Sequence, residues 1–417
     1  MWFLIINSIL FFKIFIKKKT IINGLLYTLI VFSSFYTISL LEIKQITFHL
    51  KIPEYISILL ILALLISGKK ISKKPLIYFI ALTLALSMSL IIRYLDFEPV
   101  KVWEVEDSKR SGKWAKTVIK TGISFTNFTQ MLYVVLGSLV FVAVSSIKTK
   151  KVYIVDALFK GLILVNIIAV IQLYLFYSGN YGVFMHYFYN IDEFGKYSVT
   201  AFQTFFHGIK RISSVQTETS IFGYYLTSTY LTLFLLKVEF SKKQKRILYL
   251  SSFLLLISTS FTGYIGVIYL FLLTKIYDKK GLKMFIWIFI ISIFMFVLIF
   301  IFSDVVREII VVKAGSFEER LRHGITLPLE ALSKMPIFGL GIGTDRPSIM
   351  LINMLVSVGY LGFTILSFFI FYLIKNRREL KYFLLFIILI GMTQSNFHYL
   401  FVWCYMGILY KKKELLE

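Results

Sequence analysis

Apolar runs of about 20 residues recur along the chain, separated by short segments rich in lysine. As an α-helix, a run of that length rises about 30 Å, the hydrocarbon thickness of a bilayer. Repeated many times, the pattern belongs to a polytopic helical membrane protein. Composition excludes a soluble globule: 58% of the 417 residues are apolar and the mean hydropathy is +0.79, against about 45–50% apolar residues in soluble domains. The formal net charge of +24 does not predict nucleic acid as a partner. The lysines sit in clusters between apolar runs, where they orient helices against an anionic leaflet. Cys404 is the single cysteine and lies in an apolar run, so neither a disulfide frame nor a thiolate metal site is expected. Lys13 and Lys17–Lys19 follow the first apolar run instead of preceding it, so the N-terminus does not read as a signal peptide.

Charge placement predicts the topology. The clusters Lys17–Lys19, Lys69–Lys74, Lys148–Lys151, Lys237–Arg246, Lys275–Lys283, Lys375–Lys381 and Lys411–Lys413 all face the cytoplasm under one alternation of spans. Those spans are 21–41, 54–68, 75–95, 127–147, 152–178, 220–237, 247–260, 261–277, 284–303, 350–374, 382–395 and 397–410. The expected fold is all-α: one membrane domain over 1–417, about twelve transmembrane helices, both ends cytoplasmic. A large external loop, 304–349, joins the ninth and tenth spans. Residues 2–16 form either an interfacial helix or a further span. The pairs 247–260/261–277 and 382–395/397–410 are short for a bilayer and read as tight hairpins or broken helices.

Three external loops carry the polar residues. The first, 96–126, holds Trp103 and Trp114, which read as interface anchors, with sugar stacking as the alternative. In the second, Arg211 and Glu218 are seven residues apart, two turns of a helix, with Ser213, Ser214, Gln216 and Thr217 between them. Either this is a capped helix start with an acid in its first turn, or both charges face one site. In the third, Glu318/Arg322 and Glu319/His323 are i,i+4 pairs, the spacing of a salt-laced surface helix. Gly339, Gly341 and Gly343 follow Pro336; they suit positive φ or a close backbone approach. No strand–turn–helix unit surrounds them, so they are not a dinucleotide fingerprint. Asp304 and Asp345 read as isolated, solvated acids.

Four of these segments, taken in order, resemble a known family. Arg211-Ile-Ser-Ser-Val-Gln-Thr-Glu218-Thr-Ser is similar to the Arg-x-x-Ser-x-x-x-Glu-Pro-Ser block of bacterial O-antigen and capsular polysaccharide polymerases, members of the O-antigen polymerase/ligase superfamily. Residues 258–266 resemble their Ser-Arg-Thr-Gly helix start, with Phe261 where many members carry Arg. Arg320, followed by Pro336-Ile-Phe-Gly339-Leu-Gly341-Ile-Gly343, resembles their Arg and Pro-x-x-Gly-x-Gly-x-Gly loop. Ser357-Val-Gly359-Tyr-Leu-Gly362 resembles the small-residue start of the following helix. Thr219 stands where the family often has Pro. Pro347-Ser348 stands where the related ligases commonly have a His-Asn pair, which favours polymerase over ligase.

The resemblance implies a glycosyltransferase of the bacterial cytoplasmic (inner) membrane, with its active site facing outward. It would transfer a growing glycan from undecaprenyl pyrophosphate onto a lipid-linked repeat unit, in O-antigen (lipopolysaccharide) or capsule biosynthesis. Charge grows on the departing pyrophosphate, so Arg211 and Arg320 would clamp it, with Arg322 in reserve. The acceptor hydroxyl must lose a proton, which assigns Glu218, or secondly His323, as general base. Gly339, Gly341 and Gly343 would bring backbone to the substrate. No cofactor is expected and no metal, since no Asp-x-Asp or acidic cluster is present to hold Mg²⁺. Besides membrane lipid and the lipid-linked oligosaccharide, a chain-length regulator and a flippase are the implied partners. An O-antigen ligase and a lipid-linked oligosaccharide flippase or transporter are the alternatives. A transporter would want ionisable groups along a path inside the bundle, whereas Arg93 and Lys160 lie near span ends and the best intramembrane polar candidates are Asn396 and His398.

Overall fold

A computed structural model of the chain describes residues 21–35, 39–43, 48–95, 100–105, 115–120, 122–184, 212–216, 219–258, 260–277, 322–345, 349–375, 377–392 and 399–411. In chain order they form α1 (Ile21–Phe32), β1 (Ser39–Ile43), β2 (Phe48–Lys51), α2 (Ile52–Ile66), α3 (Lys73–Leu95), β3 (Val100–Val105) and β4 (Ala115–Lys120). Then come α4 (Phe125–Ser146), α5 (Lys151–Tyr177), α6 (Thr219–Leu235), α7 (Lys242–Ile257) and α8 (Phe261–Tyr277). A π-turn (Arg322–Thr326) leads into the short α9 (Leu327–Leu332), followed by α10 (Met350–Ile374), α11 (Arg378–Gly391) and α12 (Leu400–Tyr410).

Helices α3, α4, α5 and α10, of 23, 22, 27 and 25 residues, are long and apolar enough to cross a membrane. Their limits fall on, or within about two residues of, the expected spans 75–95, 127–147, 152–178 and 350–374. The surface of α3 supports a lipid environment: Ile77, Ile80, Leu84, Met88 and Ile91 form an exposed apolar stripe along it. On a soluble protein a contiguous stripe of this kind is rare; in a bilayer it is solvated by hydrocarbon. Phe368 and Phe371 are similarly exposed on α10.

Among the described helices, α12 is enclosed along its whole length. All 11 residues of α12 are buried, against α4, α6 and α11. Helix α6 is almost as enclosed, and its Thr227, Thr229 and Thr232 hydroxyls donate 2.7–2.8 Å bonds to carbonyls four residues back. Such back-bonding satisfies hydroxyls that no water reaches. Helix α8 crosses α6 at a pair of glycines: a Cβ on Gly223 would lie 2.9 Å from the Gly263 backbone, the small-residue contact that lets membrane helices approach closely.

Several expected boundaries change. The span expected at 21–41 is helical only to Phe32, where Phe35 N–H closes a tight turn onto the Phe32 carbonyl at 2.9 Å and Gln216 donates to the Ser34 carbonyl. A side chain from another loop thus takes a carbonyl that a continuing helix would use. Helix α6 stops at Leu235 rather than 237, and α7 begins at Lys242 rather than 247 because Ser241 and Gln244 cap it reciprocally. Two antiparallel hairpins are added to the helical frame, β1 with β2 and β3 with β4. The second places Trp103 opposite Thr117 within the loop 96–126. The stretches 2–16 and 284–303, Trp114, Asp304, Asn396 and His398 lie outside the described residues.

Candidate functional site

The glycine-rich loop and the helix after it form one structural unit. Gly359, with φ +67° and ψ −177°, breaks α10 in its middle. In an unbroken helix the N–H groups of residues 360 and 361 would donate to the carbonyls of 356 and 357. The break frees all four groups, and in a helix apolar enough to cross a membrane each must be satisfied by protein. The loop supplies them. Leu340 N–H donates to the Val356 carbonyl at 2.8 Å and Gly341 N–H to that of Ser357 at 3.1 Å. In return Tyr360 N–H reaches the Pro336 carbonyl at 2.8 Å and Leu361 N–H that of Ile337 at 3.1 Å. Ser357-Val-Gly359-Tyr-Leu-Gly362 is therefore not the start of a helix, as its pattern suggested, but the break within one. That arrangement needs two glycines back to back: a Cβ on Gly359 would lie 2.3 Å from the Ile337 oxygen, and one on Gly339 would lie 2.4 Å from the Gly359 nitrogen.

The rest of the loop is held from both sides. Gly339, Gly341 and Gly343 have φ of +77°, +81° and +81°, the left-handed region that only glycine enters freely. On one side stands the last turn of α3, where Arg93 is fully buried and its Nη1 lies 3.6 Å from the Met335 sulfur. On the other, at the start of α4, Asn127 Nδ2 donates to the Ile342 carbonyl at 2.7 Å and to Thr344 Oγ1 at 2.8 Å. Its Oδ1 accepts from Ser124 N–H at 2.7 Å, so one side chain caps the helix and clamps the loop. Asn127→Ala is expected to cost about 1–3 kcal/mol, the usual penalty for leaving buried groups unbonded. The melting temperature of the purified protein should fall accordingly; an unchanged value would show that the clamp adds nothing to stability.

Beneath this loop lies a cavity of about 180 Å³ between α3, α4, α10 and α12. Gln130, Asp345, Asn353 and Ser357 contribute its polar wall, and Tyr78, Leu82, Leu86, Val134 and Trp403 are among its apolar lining. Asp345 is 3% exposed. The expectation of a solvated acid is thus corrected: the loop's turn after Gly343 carries the carboxyl inward. A second hollow of about 400 Å³, wholly apolar in its lining, lies on the other face of the α3–α10 pair and includes Phe338 from the loop.

Within the segment between Arg211 and Glu218, residues 212–216 form a buried turn. Gln172, fully buried on α5, accepts from the N–H groups of Ser213 and Ser214 at 3.0 and 2.9 Å. Its Nε2 donates to Ser213 Oγ at 3.0 Å and to the Tyr181 hydroxyl at 3.1 Å. Ser214 holds φ +53°, and its hydroxyl bonds the Val165 carbonyl at 2.8 Å.

Of the residues assigned from sequence, Gly339, Gly341 and Gly343 meet α3, α4 and α10. Arg322 is exposed and opens the π-turn, which also contains His323 in its backbone. Arg211, Glu218, Arg320 and the side chain of His323 lie outside the described residues. Sequence reasoning passed over Asn127, Gln172 and the burial of Arg93, and read Asp345 as solvated. The signal for Gln172 and Asn127 was a carboxamide within an apolar helix, which is costly unless it bonds something specific. No protein-family model matches the chain, and no curated protein matches it.

Proposed function

We propose that the protein is a polysaccharide polymerase of the bacterial cytoplasmic membrane, with about twelve spans and its active site on the outer face. It transfers a growing glycan from undecaprenyl pyrophosphate to a hydroxyl of the next lipid-linked repeat unit. The observation that carries this reading is the docking of the Pro336–Gly343 loop into the break at Gly359. Two segments that resemble polymerase motifs, separate in sequence, are one hydrogen-bonded unit in space. A third, 212–216, is a rigid buried turn, the kind of support a reactive pair such as Arg211 and Glu218 needs. Arg211 and Arg320 bind the pyrophosphate oxygens, Arg322 assists, and Glu218 or His323 takes the acceptor proton. As the acceptor oxygen bonds to the anomeric carbon, the carbon–oxygen bond to pyrophosphate breaks and that group leaves with the electron pair.

The test uses the purified full chain in lipid nanodiscs with lipid-linked repeat units as sole substrate. Longer glycans should form without nucleotide sugar and in the presence of EDTA. A requirement for either a nucleotide sugar or a divalent cation would contradict the mechanism. Arg211→Ala and Arg320→Ala should each lower the rate by at least about 100-fold, the scale of losing one fixed donor to a developing anion. Lys at either site should restore part of it, since it keeps charge without the bidentate fork. Wild-type rates in both alanine variants would remove these arginines from the mechanism.

A further inference from the structure

We infer that the cavity beneath the glycine loop is the acceptor subsite, taking one sugar ring, with Asp345 as the group that positions it. The inference rests on the polymerase reading and adds to it a place for the acceptor.

Size limits the occupant first. At about 180 Å³ the cavity is smaller than the roughly 300–1,000 Å³ of pockets that enclose a drug-sized ligand. It admits a single ring, not an oligosaccharide. Charge decides next. Of the two substrate parts, a pyrophosphate is disfavoured beside a buried carboxyl group, because like charges interact strongly where the dielectric is low. Arg93, whose side chain abuts the loop at Gly341 and Met335, is not part of the cavity wall. What suits the wall is a neutral ligand with several hydroxyls. Asp345 accepts hydrogen bonds, Gln130 and Asn353 both donate and accept, and Ser357 adds a hydroxyl. Below these groups Trp403 and Tyr78 line the cavity, matching the apolar C–H faces of a sugar ring.

The position is equally specific. Asp345 follows the loop that Asn127 and the α10 break hold in place, so its backbone is tied to the motif-bearing segment. A carboxylate so placed orients hydroxyls without itself removing the reacting proton. Asp345 is therefore a positioning residue, acting on acceptor affinity more than on the chemical step.

The experiment measures chain extension by the full chain in nanodiscs, with glycan on its carrier as fixed donor and the lipid-linked repeat unit varied as acceptor. Asp345→Asn should raise the acceptor KM at least about tenfold and change kcat by less than about threefold, the split expected when ground-state and transition-state binding are lost together. Val134→Phe, which fills the cavity from an apolar wall position, should do the same without touching any polar group. Melting temperatures are read alongside; if Asp345→Asn proves unfolded, the comparison is decided by Val134→Phe. An unchanged acceptor KM in the folded variants overturns the subsite while leaving the polymerase reading intact. Failure of the wild-type chain to extend glycan at all overturns that reading, and the subsite with it.

Discussion

Gly359→Ala is expected to destabilise the protein by roughly 2–6 kcal/mol, the sum of two costs. An alanine held at φ +67°, ψ −177° sits in a backbone region open essentially to glycine alone and loses about 1–3 kcal/mol. That Cβ would also lie 2.3 Å from the Ile337 oxygen and 2.4 Å from the Gly339 nitrogen, and overpacking of this kind costs about 1–3 kcal/mol. Both contacts are to backbone, so no side chain can rotate away. Relief comes only by unseating the loop, which forfeits the four hydrogen bonds that repair the break in α10. Gly179 is the natural comparison: its φ is +77°, but nothing lies within 4 Å of the place a methyl group would take. Gly179→Ala should carry the conformational cost alone, about 1–2 kcal/mol. Melting temperatures of the two purified variants, with proteolysis across 335–345, check the pair. Equal effects would contradict the back-to-back glycine contact.

Gln172→Leu is expected to release the turn between Arg211 and Glu218. The substitution keeps an apolar side chain of similar bulk on α5 but removes the acceptor of the Ser213 and Ser214 N–H groups. Each buried group deprived of its bond costs about 1–3 kcal/mol, so roughly 2–6 kcal/mol is at stake. Ser214 adds to this, because its φ of +53° persists only while its surroundings enforce it. The expected results are a lowered melting temperature and a loss of polymer out of proportion to protein level. Wild-type stability in Gln172→Leu would show that the turn is held by other contacts.

These two sites also mark where reading from sequence stopped. Helix α10 runs over Met350–Ile374, the limits its hydropathy predicts, because length and apolarity alone decide a span. Where a helix end is set by a distant partner, local pattern fails: α1 ends at Phe32 with the Ser34 carbonyl taken by Gln216, 182 residues away. The glycines after Pro336 were legible as a turn, since their type permits little else. Their docking site was not, because nothing in Ser357–Gly362 announces that its helix is broken there. Asp345 shows the opposite error. A lone acid in a polar loop reads as solvated, and only the fold reveals that the loop turns it inward.

The most direct measurement is a surface-glycan gel from cells lacking this protein. The account predicts that the polymer ladder disappears while a single repeat unit remains attached to its carrier or core, and that the full-length gene restores the ladder. An intact ladder would contradict it. So would full-length polymer stranded on undecaprenyl pyrophosphate, the outcome of a missing ligase, or repeat units trapped at the cytoplasmic face, the outcome of a missing flippase.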